Sequence, residues 1–205
     1  AIETLIALPN GDANHVALRF KNWSKERGGK PATVNARLAA VKSLVMAMNV
    51  IGKVPWVLSV KSEKKQPYRD TRGPGADGFL KMLEFARKIK NKTKSARSVA
   101  ILRLLGGQGF RRHGVTTLDL NHIDFNDRCA WVLLKGSREE RTRFTLSDEV
   151  LDDLKRWIKV RGSKPGPLFP GVKNARIADK TIWDIVKHIG NKVGLKTHPH
   201  SLRHQ

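Results

Sequence analysis

The chain has 205 residues, of which 40 are Lys or Arg and 18 are Asp or Glu, so its formal net charge of +22 predicts a polyanionic partner. A hydrophobic fraction of 40%, with five Trp and seven Phe, excludes a disordered basic tail and allows one large or two small domains. The sequence lacks the run of about 18 apolar residues that a membrane span needs, and its single cysteine, Cys129, excludes an internal disulfide and fits a reducing cytosol.

The first third of the sequence predicts helices. Asp12 is a suitable N-cap for a helix in which Val16, Phe20 and Trp23 recur at helical spacing, and Gly28 provides its end. A second helix is predicted from about residue 33 to residue 50. Its apolar stripe has five members, which are Val34, Leu38, Val41, Val45 and Met48.

Residues 62–75 show no apolar periodicity and contain Pro and Gly, which predicts a linker between two domains. Four basic residues of this region suit contacts with a phosphate backbone, namely Lys64, Lys65, Arg69 and Arg72. The predicted organisation is a helical domain over residues 1–63, a linker over 64–75 and a second domain over 76–205.

The second domain is predicted to combine helices with a small antiparallel sheet. Predicted helices cover residues around 79–86, 95–105, 148–161 and 181–194. Predicted strands lie near Ile123 and over 130–134 and 141–146, with Lys135 and Gly136 in the last turn. The whole chain is therefore predicted to be mainly α, with an α+β second domain.

The end of the sequence carries a cluster of basic side chains. His200, Arg203 and His204 are spaced i, i+3 and i+4, so they share one face of a helical turn if a helix begins after Pro199. A guanidinium and an imidazole held together suit a phosphate group. A zinc site is the alternative, but Ser201 stands where the zinc-helix motif needs Glu, so no metal is expected.

Three ordered motifs resemble those of the tyrosine recombinase, or phage integrase, family. Gly109-Phe110-Arg111 matches the first motif, Lys135-Gly136 the hairpin turn that follows it, and His200-Ser-Leu-Arg203-His204 the third. Arg111 and Lys135 are 24 residues apart, which also suits the family pattern. The resemblance is strong over about 76–205 and looser over the first third. Order and spacing together make the match specific.

The resemblance implies a helical core-binding (SAM-like) domain followed by an α+β catalytic domain. It implies a site-specific DNA recombinase or integrase that breaks and joins strands through a 3′-phosphotyrosyl intermediate. Arg111 and Arg203 would neutralise the non-bridging phosphate oxygens, Lys135 would protonate the leaving 5′-oxygen, and His200 would assist proton transfer. No cofactor or metal is implied, because the covalent protein–phosphate bond conserves the energy for religation.

The partner implied is double-stranded DNA. In the first domain Asn35, Arg37 and Lys42 are similar in placement to DNA contacts of the family, although they can equally form a solvated helix face. Together with the linker they would close a clamp around the duplex. The full-length parent would assemble as a tetramer on DNA and act on a mobile element or chromosome in the cytoplasm (nucleoid). This fragment is expected to be monomeric.

Two departures from the family pattern are visible. The nucleophilic tyrosine should follow the third motif by some thirty residues, but the only tyrosine is Tyr68 in the linker, so we expect a fragment that binds DNA without cleaving it. The family places an acid three residues after the catalytic arginine, where this chain has Gly114. His113 or a residue from elsewhere can compensate. The alternatives are a non-catalytic DNA-binding protein derived from a recombinase, or a type IB topoisomerase-like enzyme.

Overall fold

A computed structural model describes residues 2–64, 73–134, 136–137 and 140–203 of the chain. Six residues with predicted roles lie outside the described residues, namely Lys65, Tyr68, Arg69, Arg72, Lys135 and His204. The chain divides into two compact units, Ala1–Arg69 and Asp70–Gln205. None of the described helices is both long enough and apolar enough to cross a membrane.

The first unit is helical. Its helices are α1 (Ile2–Ile6), α2 (Asn10–Glu26) and α3 (Pro31–Val50). The predicted stripe of α3 is confirmed, because Val34, Leu38 and Val45 are buried and the other two members, Val41 and Met48, pack against the core of the unit. Pro31 occupies the first turn of α3, where its missing N–H costs nothing.

The start of α2 differs from the prediction. The helix begins at Asn10 after Pro9, so Asp12 lies in its first turn and is not the N-cap. An acid in this turn still interacts favourably with the positive end of the helix dipole. The predicted end is confirmed, since Gly28 adopts a positive φ of 75° just after the helix, a conformation that glycine tolerates best.

The apolar residues that predicted α2 do not form its buried face. Val16 and Trp23 are 44% and 46% exposed, whereas the buried residues of the helix are small, namely Ala13, Ala17 and Ser24. Trp23 instead stacks on Phe20 with ring centroids 6.0 Å apart. Periodicity predicted the helix correctly, but the face of α2 that is buried carries small side chains and not the apolar residues that revealed the period.

In its described residues the second unit combines five α-helices with one sheet. Its helices are α4 (Gly75–Arg87), α5 (Lys92–Leu102), α6 (Arg112–Thr116), α7 (Asp148–Arg161) and α8 (Asp179–Lys192). Short 3₁₀ turns lie at Leu120–His122, Val172–Asn174 and Ser201–Arg203. The strands are β1 (Ile123–Asp124), β2 (Cys129–Leu133) and β3 (Arg141–Thr145), and they form an antiparallel sheet in that order. The predicted fold class is confirmed.

The core of this unit joins the helices to the inner face of the sheet. Trp157 of α7 stacks on Phe169 at 5.8 Å, and its indole N–H donates to the carbonyl of Leu168 at 2.8 Å. Pairing of Ala130 with Phe144 sets the register of β2 and β3, and the free cysteine Cys129 is buried.

The helix predicted over 95–105 changes geometry before its end. The α-helical part stops at Leu102, and Arg103–Gly107 forms a π-helical turn that leads into Gly109. Single π-helical turns occur frequently at functional sites. Here the turn delivers the chain to Gly109, whose φ of 64° allows the sharp entry to the next segment.

Candidate active site

Arg111 stands at the start of α6, a helix of only five residues. The C-terminal part of that helix is anchored, because Gly114, Val115 and Thr116 are buried. Gly114 faces β2 so closely that a Cβ atom there would lie 2.8 Å from Cγ1 of Val132. The Arg111 side chain is exposed at the opposite end of the helix. The buried C-terminal part of α6 thus anchors the helix, while the Arg111 side chain at its start is exposed to solvent.

The shared face of the third motif was predicted on the condition that a helix begins after Pro199, and the structure has a 3₁₀ turn there, at Ser201–Arg203. The buried hydroxyl of Ser201 holds the turn: it accepts from the backbone N–H of His198 at 3.0 Å and lies 2.8 Å from Oγ1 of Thr197. Residues three apart are eclipsed in a 3₁₀ turn, so His200 and Arg203 still point to the same side.

Arg111, His200 and Arg203 line one cavity of about 680 Å³. Six further residues complete its wall, namely Arg112, His113, Asp179, Trp183, His198 and Pro199. Arg203 is fixed in place, since its Nε donates to the carbonyl oxygen of Gly109 at 2.6 Å. The first and third motifs, far apart in sequence, are therefore tied together by a direct hydrogen bond.

The electrostatics of the cavity favour an anion. Burial lowers the pKa of the Arg203 guanidinium, and the positive charge of Arg111 lowers it further. Both side chains remain cations at neutral pH, so their proximity is repulsive until a negative group lies between them. Among the described residues of the lining the one carboxylate is Asp179, which is 3.2 Å from Nε of Arg112 and so already has a cationic partner.

Four side chains of the lining were missed by the sequence analysis: Arg112, Asp179, Trp183 and His198. His198 stacks parallel to His200, with ring centroids 6.3 Å apart. Its Nδ1 accepts the backbone N–H of Ser201 at 3.2 Å, so the neutral ring carries its proton on Nε2. The alternation of His198 and His200 around Pro199 was the available signal. Asp179 and Trp183 gave none, because Asp179 precedes the helix predicted over 181–194 and Trp183 belongs to the apolar residues from which that helix was predicted.

Lys135 itself lies outside the described residues, but the strands on each side of its turn are defined. Residues Leu133 and Leu134 line a small cavity of about 70 Å³ together with Arg111 and Arg203. The described end of β2 is therefore next to the two arginines. The role of Lys135 stays a prediction.

The predicted DNA contacts in the first unit differ in their surroundings. The Asn35 amide holds the backbone of Glu63, donating to its carbonyl at 3.0 Å and accepting its N–H at 2.7 Å, which gives Asn35 a structural role. The Glu63 carboxylate binds Lys21 at 2.8 Å, and this contact lowers its pKa. Arg37 and Lys64 are exposed, and Lys42 is half-buried. Their contacts with DNA stay a prediction.

Within the described ranges, no group of three or more His, Cys, Asp or Glu side chains is placed to hold a metal ion. The described lining of the cavity carries guanidinium and imidazole groups, from Arg111, Arg203 and His200 among others. These groups bind phosphate oxygens and transfer protons.

Comparison with known sequences agrees with this arrangement. A sequence model of the phage integrase family matches residues 76–205. A tyrosine recombinase of Synechococcus elongatus is 33% identical over 100% of this chain, which spans 66% of that protein. Tyrosine recombinase XerA of Pyrococcus horikoshii is 30% identical over 92% of this chain, which spans 63% of it. The chain thus spans about two thirds or less of these relatives.

Solved structures show the same fold. The Tn1549 transposon integrase in complex with circular intermediate DNA has a TM-score of 0.71 at 20% identity, over 96% of this chain and 70% of that one. The XerH site-specific recombinase bound to palindromic difH substrate, a post-cleavage complex, also has a TM-score of 0.71, at 18% identity over 93% of this chain and 58% of that one.

Proposed function

The chain belongs to the phage integrase family, and we propose that it carries the phosphate-binding part of a site-specific DNA recombinase active site. The observation that carries the proposal is the convergence of Arg111, His200 and Arg203 on one cavity, with Arg203 hydrogen-bonded to the carbonyl of Gly109. Two relatives of known structure bind DNA, the Tn1549 integrase and XerH. The net charge of +22 supports the same partner for this chain.

The proposed reaction is transesterification at a DNA phosphodiester. A tyrosine hydroxyl attacks phosphorus, the bond to the 5′-oxygen breaks, and a 3′-phosphotyrosyl bond forms. Arg111 and Arg203 stabilise the charge that develops on the non-bridging oxygens, while His200 hydrogen-bonds the phosphate or assists proton transfer. The nucleophile is proposed to belong to a longer protein that contains this sequence, since the relatives reported above are longer.

Lys135 is proposed as the general acid that gives the leaving 5′-oxygen its proton. The test uses a protein extended to include the tyrosine. Lys135→Ala should leave DNA affinity nearly unchanged and slow cleavage by about 10² or more, the range of lost general acid catalysis. A substrate with sulfur at the bridging position has a leaving group that hardly needs a proton, so it should restore most of the rate.

Arg111→Ala is the matched control for this experiment. It removes charge stabilisation at phosphorus, so the sulfur substrate should not rescue it. Equal rescue of the two variants, or no rescue of Lys135→Ala, would show that Lys135 only holds the phosphate. An extended protein that binds DNA but forms no covalent complex would support a non-catalytic DNA-binding protein instead.

A further inference from the structure

Asp179 is a residue of the cavity lining to which the proposed chemistry assigns no role. It lies in the first turn of α8, and each of its carboxylate oxygens contacts α6. Oδ2 lies 3.2 Å from Nε of Arg112, and Oδ1 accepts from Oγ1 of Thr116 at 3.2 Å. An acid in a first turn interacts with its own helix dipole in any case. Two contacts with a second helix go beyond that role.

The two ends of α6 differ in burial, and Asp179 contacts both of them through Arg112 and Thr116. Thr116 is buried with the C-terminal part of the helix, whereas Arg111 is exposed and Arg112 is half-exposed at the other end. A helix of five residues is too short to hold its first turn by its own hydrogen bonds. The contact with Arg112 is the one ion pair that fixes this turn among the described residues.

Position 114 of α6 has little room for a side chain. A Cβ atom there would lie 2.8 Å from Cγ1 of Val132, so a larger residue would require α6 or the Val132 side chain to shift. The carboxylate that contacts α6 comes instead from the first turn of α8. Asp179 lies on the cavity wall with Arg111 and Arg203.

We infer that Asp179 is a positioning residue, which holds Arg112 and the first turn of α6 so that Arg111 meets the phosphate together with Arg203. This inference rests on the proposed function. The ion pair contributes little to folding, because the side chains of Arg112 and Asp179 are 40% and 44% exposed and such pairs are weak. Its effect is on the geometry of the anion site.

The test exploits two opposite expectations for Asp179→Asn. Charge alone predicts tighter anion binding, because a carboxylate is removed from beside the site. Loss of positioning predicts weaker binding, by roughly tenfold if Asp179 acts as supporting partners do elsewhere. Binding of inorganic phosphate would be followed through the Nε–H NMR signals of Arg111 and Arg203, and binding of a short duplex by fluorescence anisotropy.

Asp184→Asn is the matched control, because it makes the same change on the same helix. Asp184 pairs with Lys180 at 3.0 Å and is not in the cavity lining. It should leave phosphate binding unchanged. Asp179→Glu, which restores the charge, should recover at least half of the lost affinity. In an Arg112→Gln background, Asp179→Asn should add little, since the two act as one unit.

The outcomes separate this inference from the proposed function. If the unsubstituted chain shows no phosphate-dependent shift of the NMR signals of Arg111 and Arg203, the proposed function fails and this inference fails with it. If the unsubstituted chain binds phosphate but the Asp179→Asn variant binds it equally or more tightly, only the positioning role is wrong. Near-ultraviolet circular dichroism and the thermal midpoint should stay close to those of the parent for every variant. A midpoint that falls together with affinity and is not recovered by Asp179→Glu would also overturn it, in favour of a role in folding.

Discussion

Two clusters of arginine lie in the second unit, and they differ in the group that they face. Arg87, Arg103 and Arg156 surround the carboxylate of Asp153, which is 2% exposed, at 3.3, 2.9 and 2.9 Å. Arg111 and Arg203 instead face a cavity, and among its described lining residues the one carboxylate, Asp179, is paired with Arg112. An arginine paired with a buried carboxylate therefore stabilises the fold, whereas an arginine without such a partner is available to bind an anionic ligand.

The largest expected effect is on the salt dependence of DNA binding, which tests whether the cavity arginines contact DNA and the arginines around Asp153 do not. Basic residues outnumber acidic ones 10 to 4 in residues 1–64 and 30 to 14 in residues 65–205, so several phosphate contacts are expected. Affinity for duplex DNA should fall by about 10³ between 50 and 200 mM salt. Arg111→Ala should reduce the slope by about one, and Arg156→Ala should not. Equal slopes for both variants would mean that the two clusters contact DNA alike.

Asp153→Asn should destabilise the second unit strongly. The substitution leaves Arg103, whose side chain is 17% exposed, without its compensating charge. Removing one partner of a buried ion pair costs about 3–5 kcal/mol, and the exposure of the other two arginines places the expected loss of unfolding free energy near about 3 kcal/mol. Denaturant titration measures it, with Asp184→Asn as the exposed control, expected within about 0.5 kcal/mol of the parent. A loss equal to that of the control would contradict the assigned role of Asp153.

Unlike Asp153→Asn, the Arg111→Ala substitution should not lower the free energy of unfolding. The side chain is exposed and repels Arg203, so the unfolding free energy should be unchanged or slightly higher. Affinity for duplex DNA at fixed salt should fall about tenfold, the scale of one charge-assisted hydrogen bond. Anisotropy and denaturant titration on the same preparation check both. A loss of stability without a loss of affinity would place Arg111 with the structural arginines.

A smaller effect is expected at a third polar cluster, in which a histidine and an arginine both contact Asp119. Nδ1 of His122 accepts the backbone N–H of Asp119 at 2.9 Å. Burial lowers the pKa of His122, and the charge of Arg141 lowers it further, so the folded state prefers the neutral ring. This contribution to stability is present above the unfolded pKa of about 6.5 and is lost as pH falls below it. The thermal midpoint should therefore drop from pH 7.5 to pH 5.5, and less so in His122→Gln. An identical drop in both proteins would contradict this.

The sequence predicted the elements of the fold better than their faces. Helix α7 was predicted with its observed ends, because acids at its start and basic residues at its end mark them. The aromatic face of α2 was misassigned, since periodicity cannot tell which stripe a small core selects. The 3₁₀ turn at Ser201 depends on hydroxyl hydrogen bonds that no spacing rule predicts.

The candidate site was predictable only in part, for a similar reason. Arg111, His200 and Arg203 were found because they belong to ordered motifs, and the structure brings them to one cavity. Asp179 belongs to no motif. Its inferred positioning role follows from its contact with Arg112 and from the close packing of Val132 against Gly114. Such contacts arise from tertiary packing, which one sequence does not reveal.

A crystal structure of the chain with duplex DNA would show whether Arg111, His200 and Arg203 bind a DNA phosphate. We expect one backbone phosphate in the cavity, with its non-bridging oxygens about 2.7–2.9 Å from the guanidinium groups of Arg111 and Arg203 and with His200 beside it. The arginines around Asp153 should keep their ion pairs and contact no phosphate. A duplex bound elsewhere, with the cavity free of phosphate, would contradict the account.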